Sequence, residues 1–442
     1  MRMNYLRVDA EAMGYGRMGL NIERSLRRSG VDVFTSLPSP EEITPEDSIC
    51  ANAVWMSVPT HARGWWEGQK LHILTMWEAT VLPESFRESI HEFETVMVPS
   101  QQNVELFSKY HDNVKLVTLG IDPEVWHPIK RPEPSVYFDF LIGGSGTRKG
   151  TDLAYKAFLK VFATWPKGGP VPRLVMKSPR GAEFSGERVE VISGRISAEE
   201  EVDLYSGAHC YLQPSRGEGF GLQPLQAIAQ GLPTILTGAH GHASFSHLGM
   251  ELSSKMEPAA YFMYGDAGEW WEPDFDELCE RMEWVYHNYE DAVCDAAVAA
   301  DIAVSTFNWD ASTNQLLDAI GRERFELPDV VPNEWVKPKL KRFLTVVDRD
   351  WICNMAGVDY HFKRGEEYWE TADVKRILFE GGFLDPRCIV AMTIDGVSVE
   401  SGLLESQLER VGDYSASHAY CPTCNQKLNT QPNKFDAILE SL

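Results

Sequence analysis

The sequence lacks any long apolar run. No stretch approaches the roughly 18 uninterrupted apolar residues that a membrane-spanning helix needs, so no membrane span is expected. Residues 1–16 contain no apolar segment of the kind that forms the centre of a secretory signal. We therefore expect a cytoplasmic protein.

Cysteine and basic residues are also few. Eight cysteines in 442 residues do not suggest a disulfide framework, and most are expected to be reduced thiols. Forty-one lysines and arginines stand against 65 acidic residues, which gives a formal net charge of −24. Such a surface repels phosphate backbones and anionic lipids, so we do not expect nucleic acid as a partner.

A chain of 442 residues exceeds one ordinary hydrophobic core, so two or three domains are expected. Residues 1–130 alternate short apolar runs with helical segments, and residues 131–320 do so again after a proline-rich linker at 128–136. This order predicts an α/β protein with two doubly wound parallel sheets. Residues 341–442 contain short β-like pieces and predict a small β or α+β accessory module.

A first glycine motif comprises Gly14, Gly16, Arg17 and Gly19, between a predicted strand and a helix that is predicted from about Gly16 to Arg28. Met18, Ile22 and Leu26 recur every four positions, so they are expected to form one apolar face of that helix. Glycines between a strand and a helix let backbone N–H groups approach a diphosphate, although a purely structural turn fits equally well. A nicotinamide dinucleotide site would need an acidic residue at the end of the second strand, where residues 34–36 read Phe-Thr-Ser. The motif therefore disfavours a dehydrogenase.

A second motif, PSRGEGFGLQPLQA at residues 214–227, follows a predicted strand and opens a predicted helix. Its glycines permit close approach of a ligand to the backbone. Its carboxylate and amide side chains suit the hydroxyls of a sugar or a ribose, which both donate and accept hydrogen bonds. The candidate donor-binding residues here are Glu218, Gly219, Phe220, Gly221, Leu222 and Gln226.

This second motif resembles the donor-site signature of the retaining family 4 glycosyltransferases of the GT-B fold. The resemblance covers about residues 1–320, and its other landmarks are Gly14–Gly19, Val98–Ser100, Leu119–Asp122, Lys149–Gly150 and Asn308–Asp310. It implies two Rossmann-like domains facing a cleft, with the acceptor on the N-terminal side and the nucleotide sugar on the C-terminal side. It also implies a hexosyltransferase that retains anomeric configuration and needs no metal.

The sequence departs from that family at two places. Gln226 stands where the family usually has a second acidic residue, and residues 142–145 lack the family's usual arginine. Arg148 and Lys149 follow closely and could meet the donor diphosphate, together with Arg17. Ile196 is a further candidate donor contact.

The candidate catalytic residues are Glu218, Lys149 and Glu78. Glu78 follows a predicted strand in the segment 76–83, MWEATVLP, and ligand sites of open α/β sheets lie outside the carboxyl ends of strands. It is our candidate acceptor-side carboxylate, and a glutamate at a helix start without any catalytic role is the competing interpretation. His72 lies within an apolar predicted strand, which favours a packed histidine.

The C-terminal region carries the motif His418-x-x-Cys421-x-x-Cys424. A CxxC turn with a nearby histidine can supply three ligands to a structural zinc ion, and a turn without metal is the competing interpretation. A fourth ligand would have to come from elsewhere in this module.

Taken with the resemblance, these motifs predict a glycosyltransferase whose substrate is a UDP-, GDP- or other nucleotide sugar. Its unidentified hydroxyl acceptor could be a protein docked by the C-terminal module, a glycan or a small molecule. No cofactor is expected for catalysis. The alternative is a catalytically weak GT-B-fold binding or assembly protein whose C-terminal module carries the function, and the departures at Gln226 and residues 142–145 support that alternative.

Overall fold

The computed structural model describes residues 2–7, 14–36, 50–59, 68–165, 168–178, 184–194, 196–259 and 266–321, and six strands between residues 343 and 398. The chain divides into two compact units. One contains residues up to 331 apart from 261–265, and the other contains that short segment and residues 332–442.

The first unit begins with a six-stranded parallel sheet in the order β2-β1-β3-β4-β5-β6. Its strands are buried by helices on its faces, as the apolar strand pattern predicts. The strands are β1 (Arg2–Arg7), β2 (Asp32–Ser36), β3 (Asn52–Met56), β4 (Lys70–Leu74), β5 (Thr95–Val98) and β6 (Val114–Leu116), and the helices are α1 (Gly14–Arg28), α2 (Glu84–Ser89) and α3 (Gln101–Phe107).

A second six-stranded parallel sheet follows in the order β12-β11-β10-β7-β8-β9. Its strands are β7 (Tyr137–Gly143), β8 (Val171–Ser178), β9 (Val189–Ser193), β10 (Cys210–Gln213), β11 (Thr234–Thr237) and β12 (Met250–Leu252). Its helices are α4 (Thr151–Val161), α5 (Ala198–Gly207) and α6 (Leu222–Ala229). The two doubly wound sheets confirm the predicted fold class.

An antiparallel pair of strands and three helices complete the first unit. They are β13 (Ser254–Pro258), β14 (Glu269–Pro273), α7 (Phe275–His287), α8 (Tyr289–Thr306) and α9 (Trp309–Ile320). The last helix returns to the first sheet, where Ser25 of α1 donates a 2.6 Å hydrogen bond to Asp310. Asn308 caps α9 by accepting from the backbone N–H of Ala311 at 2.9 Å, and it forms a β-bridge with Ile121. Two landmarks distant in sequence thus meet.

The first glycine motif requires a correction. The helix was predicted to begin at about Gly16, but it begins at Gly14, so the whole motif lies within α1 and not in a turn before it. A Cβ at Gly19 would lie 2.9 Å from the Cβ of Arg7, so glycine there permits close packing of α1 against β1. The predicted apolar face of α1 is confirmed, because Met18, Ile22 and Leu26 are all buried.

In the second unit, all the described strand pairs are antiparallel. The strands are β15 (Phe343–Val347), β16 (Trp351–Met355), β17 (Val358–Phe362), β18 (Glu367–Glu370), β19 (Ile389–Ile394) and β20 (Val397–Ser398). The predicted zinc ligands His418, Cys421 and Cys424 lie outside the described residues. Within the described ranges, no helix is long and apolar enough to cross a membrane, and no cluster of histidine, cysteine and carboxylate side chains could hold a metal ion.

Candidate functional site

The candidate site lies at the carboxyl ends of strands from both sheets of the first unit. Residues 214–221 connect β10 to α6 and are buried along almost their whole length. Residues 144–150 follow β7, residues 75–82 follow β4 of the first sheet, and residues 238–242 follow β11. Because all of these loops leave their sheets at the carboxyl edge, they converge where ligands bind in open α/β folds.

Glu218 is the charged centre of the site and is only 6% exposed. Its Oε1 lies 2.6 Å from Lys149 Nζ, and its Oε2 lies 3.3 Å from Arg148 Nη1. Burial alone would raise the pKa of Glu218, but the charges of Lys149 and Arg148 outweigh it and hold that pKa well below its usual range. Glu218 is therefore ionised at neutral pH.

A directional chain of hydrogen bonds ends on Glu218. Tyr205 OH donates to Tyr211 OH at 3.4 Å, and Tyr211 OH donates to Gln213 Oε1 at 3.0 Å. Gln213 Nε2 donates to Ser215 Oγ at 2.7 Å, and Ser215 donates to Glu218 Oε1 at 2.9 Å. Each donor supports the next, so the chain fixes the orientation of the Glu218 carboxylate.

Arg148 joins the second sheet to the first. Its Nη1 donates to the carbonyl oxygen of Gly217 at 2.5 Å and lies 3.9 Å from Glu78 Oε1. A Cβ at Gly217 would lie 1.9 Å from the carbonyl oxygen of Glu78, so the two loops are in direct contact and only glycine fits there. The structure thus brings Glu218, Lys149 and Glu78, the three candidate catalytic residues, into one cluster around Arg148.

Arg216, which the sequence did not single out, fixes the same loop from its other side. It is 6% exposed and lies 2.8 Å from Asp152 Oδ1 in α4. It also pairs with Glu272 of β14 and donates to the carbonyl oxygen of Thr147. These contacts tie the loop to three elements, so the glycine-rich segment is held rigidly despite its composition.

Arg17, a predicted donor contact, lies in a different cluster. Its Nη1 is 2.5 Å from Glu201 Oε2, and Lys177 Nζ is 2.5 Å from Glu201 Oε1. Burial would raise the pKa of Glu201, but Arg17 and Lys177 lower it overall. Glu201 lies in α5, so this cluster links α1 of the first sheet to the second sheet.

The remaining predicted contacts take several positions. Phe220 is 1% exposed, and its ring packs 5.3 Å from that of Phe245, so it contributes to the core. Gln226 is buried in α6, and its Oε1 has no hydrogen-bond partner within the described part of the chain. Ile196 is half-buried immediately before Ser197, which caps α5.

Two histidines of the site were missed by the sequence analysis. His240 and His242 follow β11, and both are buried. Gly241 between them donates its backbone N–H to the carbonyl oxygen of Glu218 at 2.9 Å, which docks their segment on the glycine-rich loop. Their place at the carboxyl end of a predicted strand was a signal that could have identified them.

A narrow recess with room for about one water molecule lies beside the candidate site. It lies at the carboxyl ends of β7, β8 and β9 and is lined by Gly144, Ser145, Met176, Phe184 and Val191, among others. The hydroxyl oxygen of Ser178, which also lines it, is buried without a partner among the residues that the structure describes.

Part of the chain matches a known protein family. Residues 100–316 match the model of a family described as family 4 glycosyltransferases in conflict systems. No curated protein sequence matches the chain.

Solved structures share the fold of the chain at low sequence identity. A sucrose-phosphate synthase from Thermosynechococcus elongatus superimposes with a TM-score of 0.53 at 14% identity, over 72% of this chain and 98% of that one. OtsA in its apo form gives a TM-score of 0.53 at 8% identity, over 74% and 100%. A trehalose-6-phosphate protein from E. coli, bound with UDP-2-fluoro glucose, gives 0.51 at 10% identity, over 72% and 98%.

Proposed function

We propose that this chain, which belongs to the family 4 glycosyltransferases of the GT-B fold, transfers a sugar from a nucleotide-sugar donor to a hydroxyl acceptor. The observation that carries the proposal is Glu218, a buried carboxylate held between Lys149 and Arg148 at the carboxyl ends of the second sheet. Three charged groups fixed together in this way suit a reaction that separates charge.

The proposed chemistry follows from where charge develops. Departure of a nucleoside diphosphate places negative charge on its oxygens, and Lys149 and Arg148 can stabilise that charge without a metal ion. As the diphosphate leaves, the anomeric carbon of the transferred sugar becomes electron-poor. A carboxylate at Glu218 opposes that positive charge and accepts hydrogen bonds from sugar hydroxyls.

The acceptor would enter from the side of the first sheet. In this proposal Glu78, 3.9 Å from Arg148, contributes the carboxylate there and orients an acceptor hydroxyl. We propose retention of anomeric configuration, as the family resemblance implies.

The biological setting is proposed from the matched family, whose description places its members in conflict systems. In such a setting we expect the acceptor to be a macromolecule of a competing cell or element, docked by residues 332–442. A labelled donor incubated with the protein and with macromolecular extracts tests this. Label confined to small molecules would contradict a macromolecular acceptor.

A second candidate function is binding or assembly without efficient turnover. It is favoured by Gln226, a neutral residue where the family signature carries an acid, and by the pairing of Lys149 and Arg148 with carboxylates. In that case the C-terminal unit would carry the activity of the protein.

A thermal-shift panel of nucleoside diphosphates and nucleotide sugars, followed by turnover of the best donor, tests the proposal. A ligand at 100 times its dissociation constant stabilises the folded protein by roughly 2.7 kcal/mol. Stabilisation with release of nucleoside diphosphate supports the transferase. Stabilisation without release supports the binding protein, and no stabilisation by any compound contradicts both.

A further inference from the structure

Two buried histidines stand beside the charged centre of the candidate site. His240 and His242 are 3% and 0% exposed, and their ring centroids are 4.5 Å apart. Electrostatic interactions couple both of them to Glu218 and Lys149. The proposed chemistry assigns neither of them a part.

The hydrogen bonds of the two rings fix their tautomers. His240 Nε2 lies 3.0 Å from the carbonyl oxygen of Ser215, and His242 Nδ1 lies 3.2 Å from the carbonyl oxygen of Thr237. A carbonyl oxygen can only accept, so the proton of each neutral ring sits on the nitrogen that faces it. The opposite nitrogens, His240 Nδ1 and His242 Nε2, therefore carry lone pairs and can only accept.

Both rings are neutral at physiological pH. Burial lowers the pKa of His240 to about 4, and burial together with the neighbouring imidazole lowers the pKa of His242 well below its ordinary value. Neither His240 Nδ1 nor His242 Nε2 has a hydrogen-bond partner among the described residues, and the same holds for Gln226 Oε1. All three atoms are buried acceptors that lack donors, an arrangement that is rare in folded proteins.

The three acceptor atoms lie close, in sequence or in space, to the glycine-rich loop of residues 214–221. A Cβ at Gly221 would lie 2.7 Å from His242 Nε2, so this nitrogen faces the backbone of the loop where only glycine leaves room. Gly221 has φ +105°, a conformation that also favours glycine. Gln226 lies on α6, which begins directly after Gly221.

We propose that His240 and His242, together with the side-chain oxygen of Gln226, accept hydrogen bonds from hydroxyl groups of the transferred sugar and so select it. This inference rests on the proposed function. Hydroxyls supply the donors that the three atoms lack. A sugar carboxylate supplies none, so the substrate class is a neutral, fully hydroxylated sugar and not a uronic acid.

Two substitutions remove the unpartnered ring nitrogen from its position and keep an amide N–H for the anchoring hydrogen bond. In His240→Gln the amide can still donate to the carbonyl oxygen of Ser215, and in His242→Asn it can still donate to that of Thr237. His72→Gln is the matched control, because His72 is another buried histidine with an unpartnered Nδ1, placed in the first sheet and bonded to Asn52 at 3.0 Å.

The probes are UDP, UDP-glucose and UDP-glucuronic acid, with the GDP and ADP hexose series in parallel, and the readout is calorimetric affinity. Loss of one hydrogen bond to a hydroxyl should weaken nucleotide-hexose binding roughly 3- to 10-fold while the matching diphosphate binds as before. The control should bind every probe like wild type, and wild type should bind the hexose more tightly than the uronic acid.

Deoxy-hexose nucleotides keep the test valid even if a variant folds poorly, because they remove the hydroxyl from the ligand and leave the protein intact. At least one deoxy position should weaken wild-type binding by a similar factor, and a histidine variant should be insensitive to the same deletion. Equal losses for diphosphate and hexose, unchanged affinities in both variants, or no preference over the uronic acid would each overturn the inference. If wild type binds no nucleotide or nucleotide sugar, the proposed function itself fails.

Discussion

Substitution of Lys149 by methionine removes one positive charge from a buried carboxylate and keeps most of the side-chain volume. Lys149 Nζ lies 2.6 Å from Glu218 Oε1, and both side chains are largely buried. Removing one partner of a buried ion pair typically costs about 3–5 kcal/mol of unfolding free energy. Arg148 remains 3.3 Å from the other carboxylate oxygen, so we expect the low end, about 3 kcal/mol.

The same substitution should lower turnover as well as stability. Turnover should fall by about 10²–10³-fold, because one donor that stabilises the leaving group is lost. Stability should fall as well, because the carboxylate of Glu218 would stay buried with one opposing positive charge fewer. The pKa of Glu218 should rise in the variant, because the nearest opposing charge is gone.

A double-mutant cycle measured by urea unfolding separates the pair from its surroundings. Lys149→Met, Glu218→Gln and the double variant should show a coupling of about 1–3 kcal/mol, with the double variant more stable than additivity predicts. Lys160→Met is the control, because its pair with Asp276 is equally short but exposed, and its stability should not change measurably. Additive losses, or a Lys149 variant as stable as wild type, would refute the reasoning.

Three further predictions follow from the same site and from the tail. Glu218→Gln should lower the rate of the chemical step more than it lowers donor affinity, whereas Gln226→Glu should leave turnover similar or raise it. Steady-state kinetics measure both effects, and the reverse pattern would mean that the two residues have exchanged roles. If residues 418–424 bind zinc, the purified protein should contain roughly one equivalent of it, and chelation should destabilise the last module while donor binding persists. Metal analysis that finds no zinc would contradict this prediction. His240 has a folded-state pKa of about 4 against an ordinary 6.5, so the unfolded state takes up its proton first and stability should fall as pH drops from about 6.5 to 4, by up to about 3 kcal/mol. His240→Gln should show a flatter pH dependence in urea unfolding, and an unchanged slope would contradict the assignment.

The sheets could be predicted because their signal is local. Short apolar runs separated by helical periods indicate parallel strands wherever they occur, and the predicted elements of both sheets are present. The loop at 214–227 could be predicted because its glycines, carboxylate and amide follow a strand directly. Lys149 was selected as a candidate because it also follows a strand of the second sheet.

The contacts between distant segments could not be predicted in this way. The pairing of Arg17 with Glu201 depends on how α1 meets α5, and no local pattern specifies that meeting. The glycine motif was placed between the strand and the helix because glycines favour turns, whereas all of Gly14–Gly19 lie in α1, where Gly19 permits close packing on β1. His240 and His242 carried only a positional signal, since a histidine in a loop has many ordinary explanations.

The most direct test of the central claim is a crystal structure with the nucleotide sugar that gives the largest thermal shift. The account predicts the diphosphate within hydrogen-bonding distance of Lys149 or Arg148, and the sugar against Glu218 with its hydroxyls toward residues 240–242. A nucleotide sugar bound elsewhere on the chain, with the contacts of Glu218 unchanged, would contradict the account.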